Sequence, residues 1–151
     1  MKINIICVGS LKEKFFIDAI NEYSKRLSRF VNLKIVELPQ CKIDEKNATL
    51  KFEEQKIIEA CEGYVVLLDI KGEQFSSEAL ASTIKKLEVN GQSTISFVIG
   101  GSFGVSEEVR KKANMRLSFS SLTFPHQLFR VMLLEQIYRA FTIINNMPYH
   151  K

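Results

Sequence analysis

Residues 94–104 read TISFVIGGSFG, in which a mainly apolar stretch, residues 94–99, runs straight into a pair of glycines. Short, mainly apolar stretches of this kind are typical of strands buried on both faces, as the strands of parallel sheets are. Glycine at the end of a strand lets the backbone approach a ligand closely, although a tight turn that binds nothing uses the same residues. The stretch therefore predicts a central parallel strand with a candidate ligand loop at its carboxyl end.

The rest of the chain alternates strands with helices around this stretch. Apolar runs predict further strands at residues 3–8, 33–38, 64–70 and, more briefly, 117–120. Helical spacing predicts helices at about residues 16–30, 50–62, 76–89, a short one from Ser106, and a long one at 126–145, with a polar loop at 40–48. This alternation predicts an α/β fold with a mainly parallel sheet flanked by helices, in one domain over residues 1–151.

Composition excludes several classes of protein. Hydrophobic residues make up 46% and charged residues 25% of the chain, which are globular values and exclude disordered, collagen-like and coiled-coil proteins. The three cysteines are widely spaced without a CxxC pair, so neither a disulfide framework nor a metal site is expected. We find no spanning segment or signal peptide and expect a protein of the cytoplasm without membrane contact. A net charge of +4 permits a nucleic-acid partner without requiring one.

Three segments follow the carboxyl ends of predicted strands, at residues 67–72, 99–104 and 119–126. Ligands of open parallel sheets bind beyond these ends. The glycine spacing at 100, 101 and 104 fits neither GxGxxG nor GxxxxGK[ST], so a phosphate loop of either type is not predicted. A ligand held by backbone amides and carbonyls stays open.

Four segments resemble those of one known family. IGGSFG (residues 99–104), LSFSSLTFPHQ (117–127), RVMLLEQIYRA (130–140) and the terminal YHK (149–151) are together similar to the RlmH family of SPOUT-class ribosomal RNA methyltransferases. The likeness covers nearly the whole chain, with residues 40–62 contributing no motif.

The resemblance implies a fold and an activity that spacing alone does not give. It implies a homodimer that binds S-adenosylmethionine in a C-terminal trefoil knot and methylates N3 of a pseudouridine in the 23S rRNA of the assembled ribosome. General topology argues against a knot, since knotted chains are rare. Carried over residue by residue, the likeness predicts a cofactor site made of Leu68, Gly100, Phe119, Ser120, Ser121, Leu122, Thr123 and Phe124.

Candidate catalytic residues follow from the chemistry that this family implies. N3 of the base carries a proton, so the reaction needs a base or cations that favour the anion, and no metal ion. His150 is the candidate for proton handling, Tyr149 for placement of the base by stacking, and Arg130 for the anion or the RNA backbone. Residues 149–151 are expected to pack little, as chain termini usually do.

The final helix favours a second subunit. Apolar residues surround it nearly completely, and a helix that is apolar on every side is expected to be buried on every side. Glu135 and Arg139 stand four residues apart on it and can form an ion pair.

Two other classes of function remain open at this point. An RNA- or ribosome-binding module without activity would have no affinity for S-adenosylmethionine. A small nucleotide- or flavin-binding α/β protein would bind its ligand without a knot or a dimer. A calorimetric titration with S-adenosylmethionine separates the three.

Overall fold

Five strands form one sheet in the computed structural model, which describes residues 1–151. They are β1 (Lys2–Val8), β2 (Asn32–Leu38), β3 (Tyr64–Gln74), β4 (Thr94–Ile99) and β5 (Met115–Ser118). The strand order is β2-β1-β4-β3-β5, and every pair is parallel. The predicted parallel sheet is therefore confirmed, and β4 has the predicted bounds.

Five helices cover the two faces of this sheet. They are α1 (Lys14–Leu27), α2 (Lys46–Ala60), α3 (Ser77–Val89), α4 (Glu107–Lys112) and α5 (His126–Ile144). Helices α1, α3 and α5 pack on one face around Phe97 and Leu133, whereas α2 and α4 pack on the other around Ile57 and Val98. None of the helices is both long and apolar enough to cross a bilayer.

Several element boundaries differ from the prediction, including those of α1, which begins at Lys14 and ends at Leu27 where residues 16–30 were predicted. Helix α2 begins at Lys46 because the Glu45 side chain caps it, accepting from the N–H groups of Asn47 and Ala48 at 3.0 and 2.6 Å, so the predicted loop at 40–48 is shorter. Strand β3 continues to Gln74 because β5 pairs with it a second time after a register shift. Strand β5 begins at Met115 and ends at Ser118.

The single chain buries helix α5 only in part, and burial of the rest of its apolar surface by a second subunit stays a prediction. One stripe that includes Leu133 and Ile137 is fully buried against the sheet. Other apolar side chains lie at the surface, and Leu128 is 38% exposed. The first turn of α5 therefore presents apolar area to solvent. The trefoil knot stays a prediction.

Two glycines offer a matched test of the fold. Gly63 and Gly91 both have positive φ, at +66° and +86°, but a Cβ on Gly63 would collide with the carbonyl oxygen of Thr94, whereas one on Gly91 would meet nothing. We expect Gly91→Ala to lower the free energy of unfolding by about 1 kcal/mol through backbone strain alone. Gly63→Ala should cost roughly 2 kcal/mol more, because the neighbouring strand must move. Guanidinium unfolding measures both, and equal midpoints would contradict this view of the α2–β3 turn.

Candidate functional site

A cavity of about 700 Å³ lies at the carboxyl ends of β3, β4 and β5. These strands are neighbours in the sheet, so the segments that follow them meet at one edge. Of the eight residues predicted to bind a cofactor, seven line this cavity, namely Leu68, Gly100, Phe119, Ser120, Leu122, Thr123 and Phe124. Ser121 does not line it. The structure thus brings together three segments that are far apart in the sequence.

The glycine loop, residues 100–104, forms one wall of the cavity. Its two ends are joined by a bridge between Gly101 and Gly104, in which the Gly104 N–H donates to the Gly101 carbonyl oxygen at 3.0 Å. A Cβ on Gly100 would lie 2.7 Å from the Gly104 oxygen and 2.8 Å from Val105 Cγ1. Glycine is therefore required at position 100 by the packing of the loop on itself, which differs from the close ligand approach that the sequence suggested.

The opposite wall is fixed by an aromatic cluster. Phe129 of α5 meets Phe119 edge-on, with ring centroids 4.9 Å apart, and stacks on Phe124 at 5.9 Å. The Leu122 N–H donates to Ser120 Oγ at 3.0 Å, which turns the intervening segment. Leu122 itself is 70% exposed at the cavity. The segment therefore combines fixed aromatic rings with one apolar side chain open to solvent.

A charged rim, made of Asp69, Arg110 and Arg116, completes the cavity. Arg116 donates to Asp69 Oδ2 from Nη2 and Nε at 2.6 and 3.0 Å, and Arg110 Nε lies 3.8 Å from the same oxygen. Burial acts to raise the pKa of Asp69, but hydrogen bonds from the Lys71 N–H and from Arg116 outweigh it, so that the pKa lies below its ordinary value. The sequence analysis missed this rim, although Asp69 directly follows Leu68 in the same strand.

The tail residues lie in a second cluster that does not line this cavity. The Tyr149 hydroxyl group donates to Glu135 Oε1 at 3.0 Å, and its ring meets that of Tyr138 edge-on at 4.8 Å. His150 Nε2 lies 2.8 Å from Glu78 Oε1, and its Nδ1 lies 3.2 Å from Arg139 Nη1. The expectation that the tail packs little is therefore wrong, because α3 and α5 both hold it.

Arg130 and Arg139, the two arginines of α5, form ion pairs in different parts of the molecule. Arg139 pairs with Glu135, as predicted, and so belongs to the tail cluster. Arg130 is 2% exposed and donates to Glu37 Oε2 at 2.7 Å and to the Gly9 carbonyl at 3.2 Å. Its Nε has no hydrogen-bond partner. Arg130 thus lies beneath the surface at the ends of β1 and β2, apart from both the cavity and the tail cluster.

No group of three His, Cys, Asp or Glu side chains is placed to hold a metal ion.

Burial raises the pKa of the Cys7 thiol to about 11, against the opposing effect of Arg130.

The sequence of residues 1–150 matches the family described as "Predicted SPOUT methyltransferase". A relative from Clostridium botulinum (strain 657 / Type Ba4), named ribosomal RNA large subunit methyltransferase H, is 52% identical over 100% of both chains. Among solved structures, a probable methylase family protein from Haemophilus influenzae Rd KW20 superposes with a TM-score of 0.56 at 13% identity, over 99% of this chain and 70% of that one. The protein Lpg2936 from Legionella pneumophila, solved with bound SAM, superposes with a TM-score of 0.52 at 11% identity, over 93% of this chain and 66% of that one.

The tail cluster predicts a measurable titration. Burial, together with the hydrogen bond to the Glu135 carboxylate, raises the pKa of Tyr149 to about 12. Because this pKa is raised on folding, the stabilisation is complete below the ordinary tyrosine pKa of about 10 and is lost as the pH rises through 12. Difference ultraviolet titration of wild type against Tyr149→Phe should isolate this late phenolate, and Glu135→Gln should lower its pKa. A Tyr149 that ionises near pH 10 would show that the tail is not held in this way.

Proposed function

The chain belongs to the SPOUT methyltransferase family, and we propose that it transfers the methyl group of S-adenosylmethionine to N3 of a pseudouridine in the 23S rRNA of the assembled ribosome. The observation that carries the proposal is the 52% identity, over the full length of both chains, to a relative named for methylation of that RNA. Such a substrate also places the reaction in the cytoplasm.

The cavity suits S-adenosylmethionine in volume and chemistry. Its 700 Å³ falls in the usual range for small-molecule sites, and Leu68, Leu117 and Phe119 offer apolar walls for the adenine ring. Backbone groups of the glycine loop supply polar contacts, and the charged rim matches the ammonium and carboxylate groups of the amino-acid end. When bound, S-adenosylmethionine supplies a methyl group on a positively charged sulfur.

The tail cluster supplies the groups for the proton on N3. Arginine is only a donor, so His150 Nδ1 accepts from Arg139 and the Nε2–H donates to Glu78. The hydrogen bond with His150 also holds the pKa of Glu78 below its ordinary value. In this tautomer the lone pair of His150 Nδ1 becomes free to accept a proton once Arg139 turns toward the RNA. The Tyr149 ring offers a stacking surface for the base.

Arg130 acts differently from the other two candidates. Its buried pairing with Glu37 leaves the RNA backbone out of reach within one chain. We infer that Arg130 keeps α5 fixed to the ends of β1 and β2, and that Arg139 carries the role first assigned to Arg130. This keeps a cation beside the anion that forms when N3 loses its proton.

The separation of the two clusters supports the proposal of a homodimer. His150 and Tyr149 do not line the cofactor cavity of their own chain, so a second copy is needed to join one chain's tail to the other's cavity. Exposed apolar side chains offer such an interface at one end of the molecule, where Phe15 is 64% and Leu128 38% exposed. The Lys12 N–H, just before α1, donates to Gln127 Oε1 in the first turn of α5 at 3.3 Å, which joins the beginnings of the two helices that carry Phe15 and Leu128.

The activity is tested with radiolabelled S-adenosylmethionine and ribosomes that lack the modification. We expect transfer to the 23S rRNA of these assembled ribosomes, and none to ribosomes in which the pseudouridine is replaced by uridine. His150→Gln should lower kcat by about a hundredfold, the scale of losing a positioned acid–base group, while the Kd for the methyl donor changes less than about threefold. Lys151→Gln, which alters the neighbouring exposed residue, is the matched control.

Two results would overturn this assignment. Methylation by His150→Gln at the normal rate would remove the histidine from the reaction. Absence of calorimetric binding of S-adenosylmethionine to the wild type would favour an RNA-binding module, and binding of a nucleotide or flavin instead would favour the third class.

The shared active site is tested by mixing two inactive variants. Gly100→Val distorts the cofactor loop, and His150→Gln disables the tail, so each homodimer should be inactive. In an equal mixture about half of the dimers are mixed, and each has one intact site, so activity should return to about a quarter of the wild-type value. Sedimentation should give about twice the chain mass. A monomer, or a mixture without recovered activity, would contradict the shared site.

A further inference from the structure

Glu53 is a buried carboxyl group that the proposed reaction does not use. It lies on α2 and is 3% exposed, and its Oε2 has no hydrogen-bond partner. Burial raises the pKa of Glu53, against the opposing effect of a hydrogen bond from the Cys41 N–H. A buried carboxyl group with an unpartnered oxygen lowers stability, and a well-packed apolar side chain would avoid that cost. Its presence in the core therefore requires an explanation.

The carboxyl group contacts the glycine loop beside Gly101. A Cβ on Gly101 would lie 2.9 Å from Glu53 Oε2, 3.0 Å from Oε1 and 3.3 Å from Cδ, so the carboxyl group already occupies the space that a side chain would need. Gly101 lines the cofactor cavity, whereas Glu53 does not. Glu53 therefore touches the loop without being exposed to the ligand.

A second contact of α2 reaches the end of the same segment. The Ser106 hydroxyl group donates to Glu54, and Ser106 Oγ in turn accepts from the Val109 N–H as the N-cap of α4. Adjacent residues of α2 thus hold the loop near its start and just beyond its end. The bridge between Gly101 and Gly104 lies between these two supports.

Resting on the proposed function, we propose that Glu53 is a positioning residue for the methyl donor. Its carboxyl group supports Gly101 and keeps residues 100–104 in the shape that binds S-adenosylmethionine. The side chain acts through its reach and planar polar end, because it packs against backbone and forms no ion pair. Two conservative variants separate reach from charge, since Glu53→Gln keeps the shape and Glu53→Asp keeps the charge but is one methylene shorter.

The first test needs no cofactor. Amide hydrogen exchange in the unliganded protein should be at least about tenfold faster for residues 100–106 in Glu53→Asp than in wild type, because the loop opens locally without its support. In Glu53→Gln the exchange rate of these amides should remain within about threefold of the wild-type rate. Glu59→Asp, on an exposed site of the same helix, is the matched control and should leave loop exchange unchanged.

The second test measures binding and turnover. Glu53→Asp should raise the calorimetric Kd for S-adenosylmethionine about tenfold and change the KM for ribosomes less than about twofold, since a loosened site costs affinity for the ligand it holds. Glu53→Gln should bind S-adenosylmethionine with nearly the affinity of the wild type. Gly101→Ala, which forces the carboxyl group away from the opposite side of the contact, should weaken cofactor binding by a similar factor.

Three results would overturn the support role of Glu53. If Glu53→Asp matches wild type in exchange and affinity, or if Glu53→Gln loses as much as Glu53→Asp, the support role is overturned. A Gly101→Ala variant with normal affinity overturns it as well. If wild type does not bind S-adenosylmethionine, the proposed function fails, while the exchange comparison still tests Glu53 by itself.

Discussion

The parallel hydrogen bonding of β4 between β1 and β3 is the constraint on which the other features depend. It places the glycine loop in the middle of the sheet's carboxyl edge, where the end of β3 lies on one side. Strand β5 then pairs with β3 and carries the segment at 119–124 to the same edge. The cavity forms because three loops with small or apolar residues converge there. No single segment could enclose a ligand without the other two.

Sequence patterns predicted an element correctly where its burial shows in a short stretch of neighbouring residues. The apolar run of β4 gave its bounds, and the end of that run located the loop that lines the cavity. Sequence patterns did not predict that β3 continues to Gln74, because Glu73 and Gln74 are polar and belong to the strand only through their pairing with β5. The cap of α2 was also missed, since Glu45 acts through its carboxylate at a position where Ser, Thr, Asp or Asn is usual.

The candidate site divides in the same way. The meeting of the predicted cofactor residues at one cavity could be inferred, because topology alone brings those strand ends together. The contact of Glu53 could not be inferred, since its carboxyl group lies beside Gly101, which is distant in sequence and shows no pattern that points to α2. The tail was misjudged for a related reason. A terminal triplet is usually mobile, but here the Tyr149 ring lies against Tyr138 and beneath the Arg139 guanidinium group, which is 4.8 Å from the ring centroid.

The same strand order has a consequence for how the chain folds. Strand β1 pairs with β2 on one side and with β4 on the other, so during synthesis it waits for its second partner until the chain has been made past Thr94. Until β4 is made, the edge of β1 that β4 covers in the native sheet has no partner strand. Contacts of such long sequence separation slow the search for the native state. An enzyme whose proposed target is the ribosome would thus complete its own core only after most of its chain had passed through one.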